Sequence, residues 1–127
     1  MLRFVGLDVH KHILQMCIID ATGKVLVKER LEDFDREKLL DWARRKLQPQ
    51  DRIALEATTN TWAVARLLRP FVAEVVASNP LATKAIAQAK VKTDKIDAEV
   101  LAQLLRCDYL PPVWHHASRL PRRSGAV

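Results

Sequence analysis

Four acidic residues stand where acids are costly unless they do something. The segment Thr93 to Arg106, TDKIDAEVLAQLLR, carries a helical apolar pattern in Ile96, Val100, Leu101, Leu104 and Leu105. On a wheel at about 100° per residue with Asp94 at zero, those side chains cover an arc from roughly 200° round to about 20°, and Asp97 falls at about 300°, inside it. Asp94 also lies within its limits, so the spacing predicts two carboxylates stacked on the core-facing side of a helix N-terminus. An N-cap and a third helical position would share this spacing, because free amides and the dipole favour negative charge there. Capping accounts for Asp94 better than for Asp97, whose inward carboxylate must be compensated. Asp8 interrupts the apolar first strand, and Glu56 closes the run Ile53 to Glu56. Taken singly, each suits a polar strand end meeting water.

Taken together they suggest one chemistry. Four carboxylates within ~6 Å of one another would repel by roughly 3 kcal/mol per pair at an effective dielectric of 20. A helix N-terminus returns only about 0.3 to 1 kcal/mol. Oxygen ligands without His or Cys select a hard divalent ion, Mg²⁺ or Mn²⁺. Two such ions between carboxylates serve to activate water or a 3′-hydroxyl in phosphodiester chemistry. Lys84, Lys90, Lys92 and Lys95 precede or border the acidic segment, where they could hold a nucleic-acid backbone beside the metals. On this reading Asp97→Asn stabilises the metal-free fold and weakens Mg²⁺ binding, whereas plain capping predicts neither.

The elements that must bring these acids together can be read along the chain. RFVGLDV (3–9), ILQMCII (13–19) and KVLVKERL (24–31), the last after the turn cluster Asp20 to Gly23, read as a three-stranded meander. Lys24, Lys28 and Arg30 share one face of the third strand, as on a strand with one side in water near a sheet edge. Asp33 or Asp35 can cap a helix bearing Leu39, Leu40, Ala43 and Leu47. Ile53 to Leu55 is a short strand, Thr59 or Asn60 caps a helix through Leu68, Phe71 to Ala77 is a fifth strand, and Asn79-Pro80 opens another helix. A meander followed by strand-helix-strand-helix predicts an α/β domain with a mixed five-stranded sheet, its second half parallel, and helices on both faces. In that order the first and fourth strands are neighbours, so Asp8 and Glu56 converge.

Composition narrows the class. The 127 residues fit one domain at roughly 100 to 200 residues per domain. Apolar residues at 49% and charged ones at 28% exclude a disordered or fibrous chain. No apolar run approaches the ~20 residues that span a bilayer, and no secretory signal is visible. The expectation is a soluble, cytoplasmic protein with no membrane partner. Cys17 and Cys107 lie far apart, without metal or redox spacing, and read as reduced core thiols. A net charge of +6 biases the chain toward polyanions, nucleic acid first, although Arg119, Arg122 and Arg123 near the end supply much of it. Residues 1–114 read as one domain and 115–127 as an aperiodic basic tail, expected to be disordered.

The segments GLDVHK (6–11), EATTNTW (56–62), SNPLATKAIAQAKVKTDKIDA (78–98) and the following EVLAQLLR resemble the N-terminal domain of the DEDD transposases of a large insertion-sequence family. The resemblance covers about residues 2 to 114. It implies an RNase H-like, RuvC-type fold and a four-carboxylate site of Asp8, Glu56, Asp94 and Asp97, the last two at the family's D-x-x-D spacing. It further implies DNA as substrate, a structured guide RNA as partner, homo-oligomers in the intact family, and DNA transposition as the activity. After Trp114 the chain reads HHASRLPRRSGAV, where the family continues into a long helical segment and a domain with a nucleophilic serine. This departure suggests a truncated transposase.

Other residues carry weaker signals. His10 with Lys11 could contact phosphate, a solvent-facing turn being the simpler reading. Thr58, Thr59 and Asn60 are most simply helix caps, with substrate-backbone contact as the alternative for Thr58 and Asn60. Trp62 could stack on a base, although core packing is favoured; Trp42 and Trp114 read as packing residues. The rival to a metal-dependent enzyme domain is a non-catalytic nucleic-acid-binding fragment that lacks the serine domain, and metal dependence separates the two. An actin-like phosphotransferase fits poorly, since no glycine follows the first strand to cradle a phosphate.

Overall fold

The computed structural model describes residues 1–59 and 61–117. Strands β1 (Arg3–Val9), β2 (Ile13–Asp20) and β3 (Val25–Glu32) form the antiparallel meander that the turn signals predict. Its second turn is closed by Asp20, whose Oδ1 accepts the Thr22 and Lys24 N–H groups at 2.9 and 3.0 Å and the Thr22 hydroxyl at 2.6 Å. These donors favour the ionised form and hold the Asp20 carboxyl below its ordinary range. Gly23 completes the turn at φ 93°, a left-handed conformation that glycine adopts without strain.

Helix α1 (Arg36–Lys46) starts at Asp35, whose side chain accepts the Lys38 N–H at 2.8 Å. Strand β4 (Arg52–Glu56) follows and pairs in parallel with β1; helix α2 (Thr61–Leu68) and a 3₁₀ turn at Arg69–Phe71 around Pro70 lead to β5 (Glu74–Ser78), parallel to β4. That turn and the bend after it take Phe71 to Ala73, the first residues expected of the fifth strand. Helix α3 (Pro80–Lys90) begins with the Asn79 side chain on the Ala82 N–H, as the Asn-Pro pair predicts. Helix α4 (Ala98–Arg106) and strand β6 (Pro112–Ala117) complete the chain described.

The sheet order is β3-β2-β1-β4-β5-β6, a mixed sheet with helices on both faces, as expected of an α/β domain. It has six strands where the pattern predicts five. The sixth runs antiparallel to β5 and past the boundary expected at residue 114. An edge strand pairs through its backbone and needs no alternating apolar period, and proline is tolerated there, so Pro111-Pro112 and the His pair gave no strand signal. Residues 118–127 of the expected tail lie outside the described residues, as does Asn60.

Period-2 alternation divides the core. Val5, Leu7, Ile18, Ile53, Leu55 and Val75 pack with Leu39 and Trp42 of α1 and Val64 and Leu68 of α2. Phe4, Cys17, Ile19, Ala54 and Val76 face the other way, against Ala98, Leu101, Ala102 and Leu105 of α4. Helix α4 crosses β1 so closely that a Cβ on Gly6 would overlap the Ala98 carbonyl oxygen and lie 2.8 Å from the Ala102 nitrogen. Only glycine permits that approach. At the far end of α4 the Gln103 amide reaches the Gly23 carbonyl at 2.9 Å, so the helix runs antiparallel to β1 and its N-terminus lies toward the C-terminal ends of β1 and β4.

Cys17 is a core thiol as expected, and its burial under α4, with the carboxylates of Glu99 and Asp97 nearby, pushes it up to about 11. Cys107 is exposed, contrary to expectation: it follows the last turn of α4 at the helix C-cap, beyond the buried stripe. No helix among the described residues is long and apolar enough to cross a membrane.

Candidate active site

Strand register builds the first half of the site. The last pairs of the β1–β4 ladder are Gly6↔Ala54 and Leu7↔Leu55. Leu7 and Leu55 point to the α1–α2 side. One residue further, Asp8 and Glu56 therefore emerge side by side on the α4 face, both half-buried. Their proximity is visible electrostatically. The Glu56 carboxyl is pushed above its ordinary range, first by burial and then by the negative charge of Asp8. His10, two residues on and so on the same side of the strand, brings its Nε2 to 3.2 Å from an Asp8 carboxylate oxygen. Its backbone N–H donates to the Ile13 carbonyl at 2.8 Å and holds the β1–β2 turn in place. Sequence reasoning treated His10 as a solvent-facing residue. It is indeed exposed, but the i, i+2 spacing in a strand was the available sign of its contact with Asp8.

The second half differs from the expected helix over Thr93 to Arg106. Helix α4 starts only at Ala98, and Asp97 is its N-cap, its Oδ1 accepting the Val100 N–H at 2.9 Å. Lys92 at φ 65° turns the chain out of helix after α3, and the Thr93 hydroxyl accepts the Lys95 N–H at 3.1 Å to hold a local turn. These interactions replace the first turn that the apolar pattern suggested. Asp94 consequently lies exposed in the bend before the helix, and the expected stacking of Asp94 on Asp97 does not occur. Ile96 still packs on the cluster beneath α4, which explains why the pattern looked helical.

Gly6 decides where Asp97 sits. Because Ala98 rests on Gly6, its neighbour Asp97 is held near the level of Asp8, beside Gln15, the β2 partner of Asp8. Asp97 and Gln15 line one open cavity of about 220 Å³ together with Lys28, Arg30 and Glu99. Lys28 Nζ lies 3.0 Å from Glu99 and bridges β3 to α4, and this hydrogen bond raises the Lys28 ammonium above its ordinary range.

Asp8 and Glu56 thus form a pair, Asp97 adjoins it across Gln15, and Asp94 stands apart on the surface. Among the described residues no three His, Cys, Asp or Glu side chains are grouped so as to hold a metal ion. The pair itself fits a hard cation in its chemistry, since both donors are carboxylate oxygens whose mutual repulsion a divalent charge would relieve. Of the residues expected to contact nucleic acid, Lys11 is exposed in the β1–β2 turn, close to His10. Lys84 and Lys90 are exposed on α3, the latter 5.4 Å from the Tyr109 ring, and Lys92 and Lys95 are exposed in the segment leading to Asp97. The Thr58 backbone is tied to Thr61, whose hydroxyl accepts the Thr58 N–H at 3.0 Å and donates to its carbonyl at 2.9 Å. This Thr61 loop closes the chain before α2; the Asn60 cap expected there lies outside the described residues. Trp62, expected in the core, is 41% exposed, because Thr61, Val64, Ala65 and Leu68 supply the buried stripe of α2. Trp42 is buried as expected, with its indole N–H on Glu29 at 3.1 Å.

Comparison with known proteins places the chain in a family. A model of DEDD transposases of the IS110 type, described as "Transposase", matches residues 5–119. No curated protein matches the chain. Among solved structures, the chain is similar to Thermus thermophilus RuvC in complex with a Holliday junction substrate at 10% identity and TM-score 0.48, covering 89% of this chain and 100% of that one. A second Thermus thermophilus RuvC structure is similar at 15% identity and TM-score 0.42, covering 98% and 88%.

Proposed function

Since the chain belongs to the DEDD transposase family, we propose that it is the metal-dependent phosphodiester-processing domain of a DNA transposase, with Asp8, Glu56, Asp94 and Asp97 as its acidic residues. The observation that carries the reading is the pairing of Asp8 with Glu56 at the C-terminal ends of neighbouring parallel strands, where burial and then the charge of Asp8 disfavour the ionised form of Glu56. A fold gains nothing by placing two half-buried carboxylates together. A site that binds cations does.

Asp8 and Glu56 would hold Mg²⁺ or Mn²⁺, with Asp97 the nearest further donor and Asp94 brought in by the segment 91–97. When bound, such ions supply Lewis-acid activation of a nucleophilic oxygen and stabilisation of the leaving oxygen. The chain's own residues do the rest. Asp97 keeps one oxygen on the Val100 N–H, so its second oxygen is held in a fixed direction by the helix end. His10 restrains one oxygen of Asp8. Lys11, Thr58, Asn60, Lys84, Lys90, Lys92 and Lys95 are proposed to contact the nucleic-acid backbone, DNA as substrate and a structured guide RNA as partner, in a homo-oligomer. The cytoplasm, where DNA is accessible, is the proposed location.

Thermal melts and calorimetric titration with Mn²⁺ test the reading. Mn²⁺ is expected to raise the melting temperature, Asp8→Asn to abolish that rise, and Asp97→Asn to weaken Mn²⁺ binding about tenfold while leaving metal-free stability unchanged, in place of the gain expected from stacked carboxylates, because Asp97 is an N-cap and Asn caps a helix about as well as Asp. A wild-type chain indifferent to Mn²⁺ would overturn the enzymatic reading and leave a nucleic-acid-binding module.

A further inference from the structure

The basic face of β3 looks on sequence like a solvated edge, yet the register sets it in line with the acidic pair. Asp8 pairs with Gln15, and Gln15 pairs with Arg30. Directly opposed residues of antiparallel strands point to the same face. Glu56, Asp8, Gln15 and Arg30 therefore form one transverse row on the α4 side of the sheet. Lys28, opposite Cys17, lies one pleat away on that same face.

Among the described residues the row is open toward one side. Toward β5 it meets fully buried Ser78, the partner of Glu56, and the chain turns there into α3. Toward β3 it enters the open cavity lined by Gln15, Lys28, Arg30 and the first turn of α4, and β3 is the edge of the sheet. Two strand spacings separate Arg30 from Asp8, about 10 Å. That distance is about three nucleotides of one stacked strand at ~3.4 Å of axis each.

We propose that Gln15, Lys28 and Arg30 form a binding track for the phosphodiester backbone of a nucleic-acid strand that leaves the Asp8–Glu56 pair across β2 and β3. The inference rests on the proposed function for its orientation toward that pair. Arg30 is the anchor, because its planar guanidinium can grip a phosphate with two parallel hydrogen bonds, which an ammonium cannot. In the free chain it lies 3.1 Å from Glu32 on its own strand, and Lys28 lies 3.0 Å from Glu99. All four side chains are exposed, so these pairs contribute little and exchange readily for a phosphate. Gln15 has both a donor and an acceptor at the floor, suited to a sugar or base edge between two phosphates. Asp97 and Glu99 along the α4 wall would keep the backbone toward the β3 side.

Fluorescence anisotropy with labelled single-stranded DNA, duplex DNA and RNA of one sequence, in EDTA and over a range of KCl concentrations, tests the track. Arg30→Gln is expected to weaken binding to single-stranded DNA about three- to tenfold and to lower the salt slope by about 0.7, the value of one lost phosphate contact. Lys28→Gln should give a smaller loss and Arg30→Lys a partial rescue. Both positions are exposed, so the melting temperature and Mn²⁺ binding should stay at wild-type values. A stronger loss on duplex DNA or RNA would assign the same track to that source of phosphodiester. Wild-type binding with unchanged affinity and slope in Arg30→Gln on all three probes overturns the track alone, whereas a wild-type chain that binds none of them overturns the functional reading with it.

Discussion

The two ends of β1 treat their acids in opposite ways. At its start Arg3 reaches Asp51, just before β4, through two hydrogen bonds of 2.9 and 2.7 Å, and both side chains are buried. Further bonds hold the pair in place: Asp51 accepts the Gln48 N–H at 2.8 Å and Arg3 donates to the Lys46 carbonyl at 2.8 Å. At its end Asp8 faces Glu56, an acid against an acid, with an exposed histidine beside Asp8. The same two neighbouring chain segments thus carry a matched pair at one end and a frustrated pair at the other. Stability is placed where strand and helix must be tied together, and is given up at the end where the proposed site lies.

The largest effect should come from breaking the matched end. Asp51→Ala strands a buried guanidinium and is expected to cost about 3–5 kcal/mol in urea unfolding. A variant within 1 kcal/mol of wild type would show that the two ends do not differ in kind. Gly6→Ala comes next, since its Cβ must displace the α4 backbone; overpacking of this sort typically costs about 1–3 kcal/mol. Because the displaced residue is the neighbour of Asp97, Mn²⁺ affinity should fall as well, whereas a destabilising change remote from the N-terminus of α4, such as Leu105→Val, should leave it intact.

The smallest effect sharpens the frustrated end and carries the opposite sign. Glu56 has a raised pKa in the folded state, so the native chain binds more protons than the unfolded one over the window from the ordinary value of 4.5 upward to that raised value. Metal-free stability should therefore fall as pH rises through this window. Glu56→Gln removes the ionisation and should raise the melting temperature at neutral pH by a few degrees, flatten that pH dependence, and lose the further rise given by Mn²⁺. A melt of Glu56→Gln that follows wild type at every pH would remove the repulsion from the account.

Much of this contrast was legible in the sequence. Asp8 interrupting one apolar run and Glu56 closing another, with meander before and alternation after, sufficed to make β1 and β4 neighbours and to bring the two acids together. The matched end was not legible. Arg3 and Asp51 are 48 positions apart, and nothing in the local pattern of either announces a buried ion pair. The helical wheel over Thr93 to Arg106 was misleading at its start for a physical reason. Side-chain caps and a left-handed residue at Lys92 compete with the first helical turn at short range, and an apolar residue such as Ile96 can be buried from an irregular segment as well as from a helix. The burial expected of Trp62 fell to the same kind of competition, since α2 already filled its buried stripe with smaller residues.

By itself the chain's order of residues determined what depends on neighbours in sequence: the alternation of strands, the caps at Asp35 and Asn79, the turn at Asp20 to Gly23, and an acid at the end of each of two strands. Register, the seat of α4 on Gly6, the sixth strand and the line from Glu56 through Asp8 and Gln15 to Arg30 were decided only by the tertiary structure. The reason is one of range. Propensity, capping and periodicity act over a few residues, while the row that joins the acids to the basic edge is made by backbone pairing between strands, and pairing energies do not depend strongly enough on side chains to be read one strand at a time.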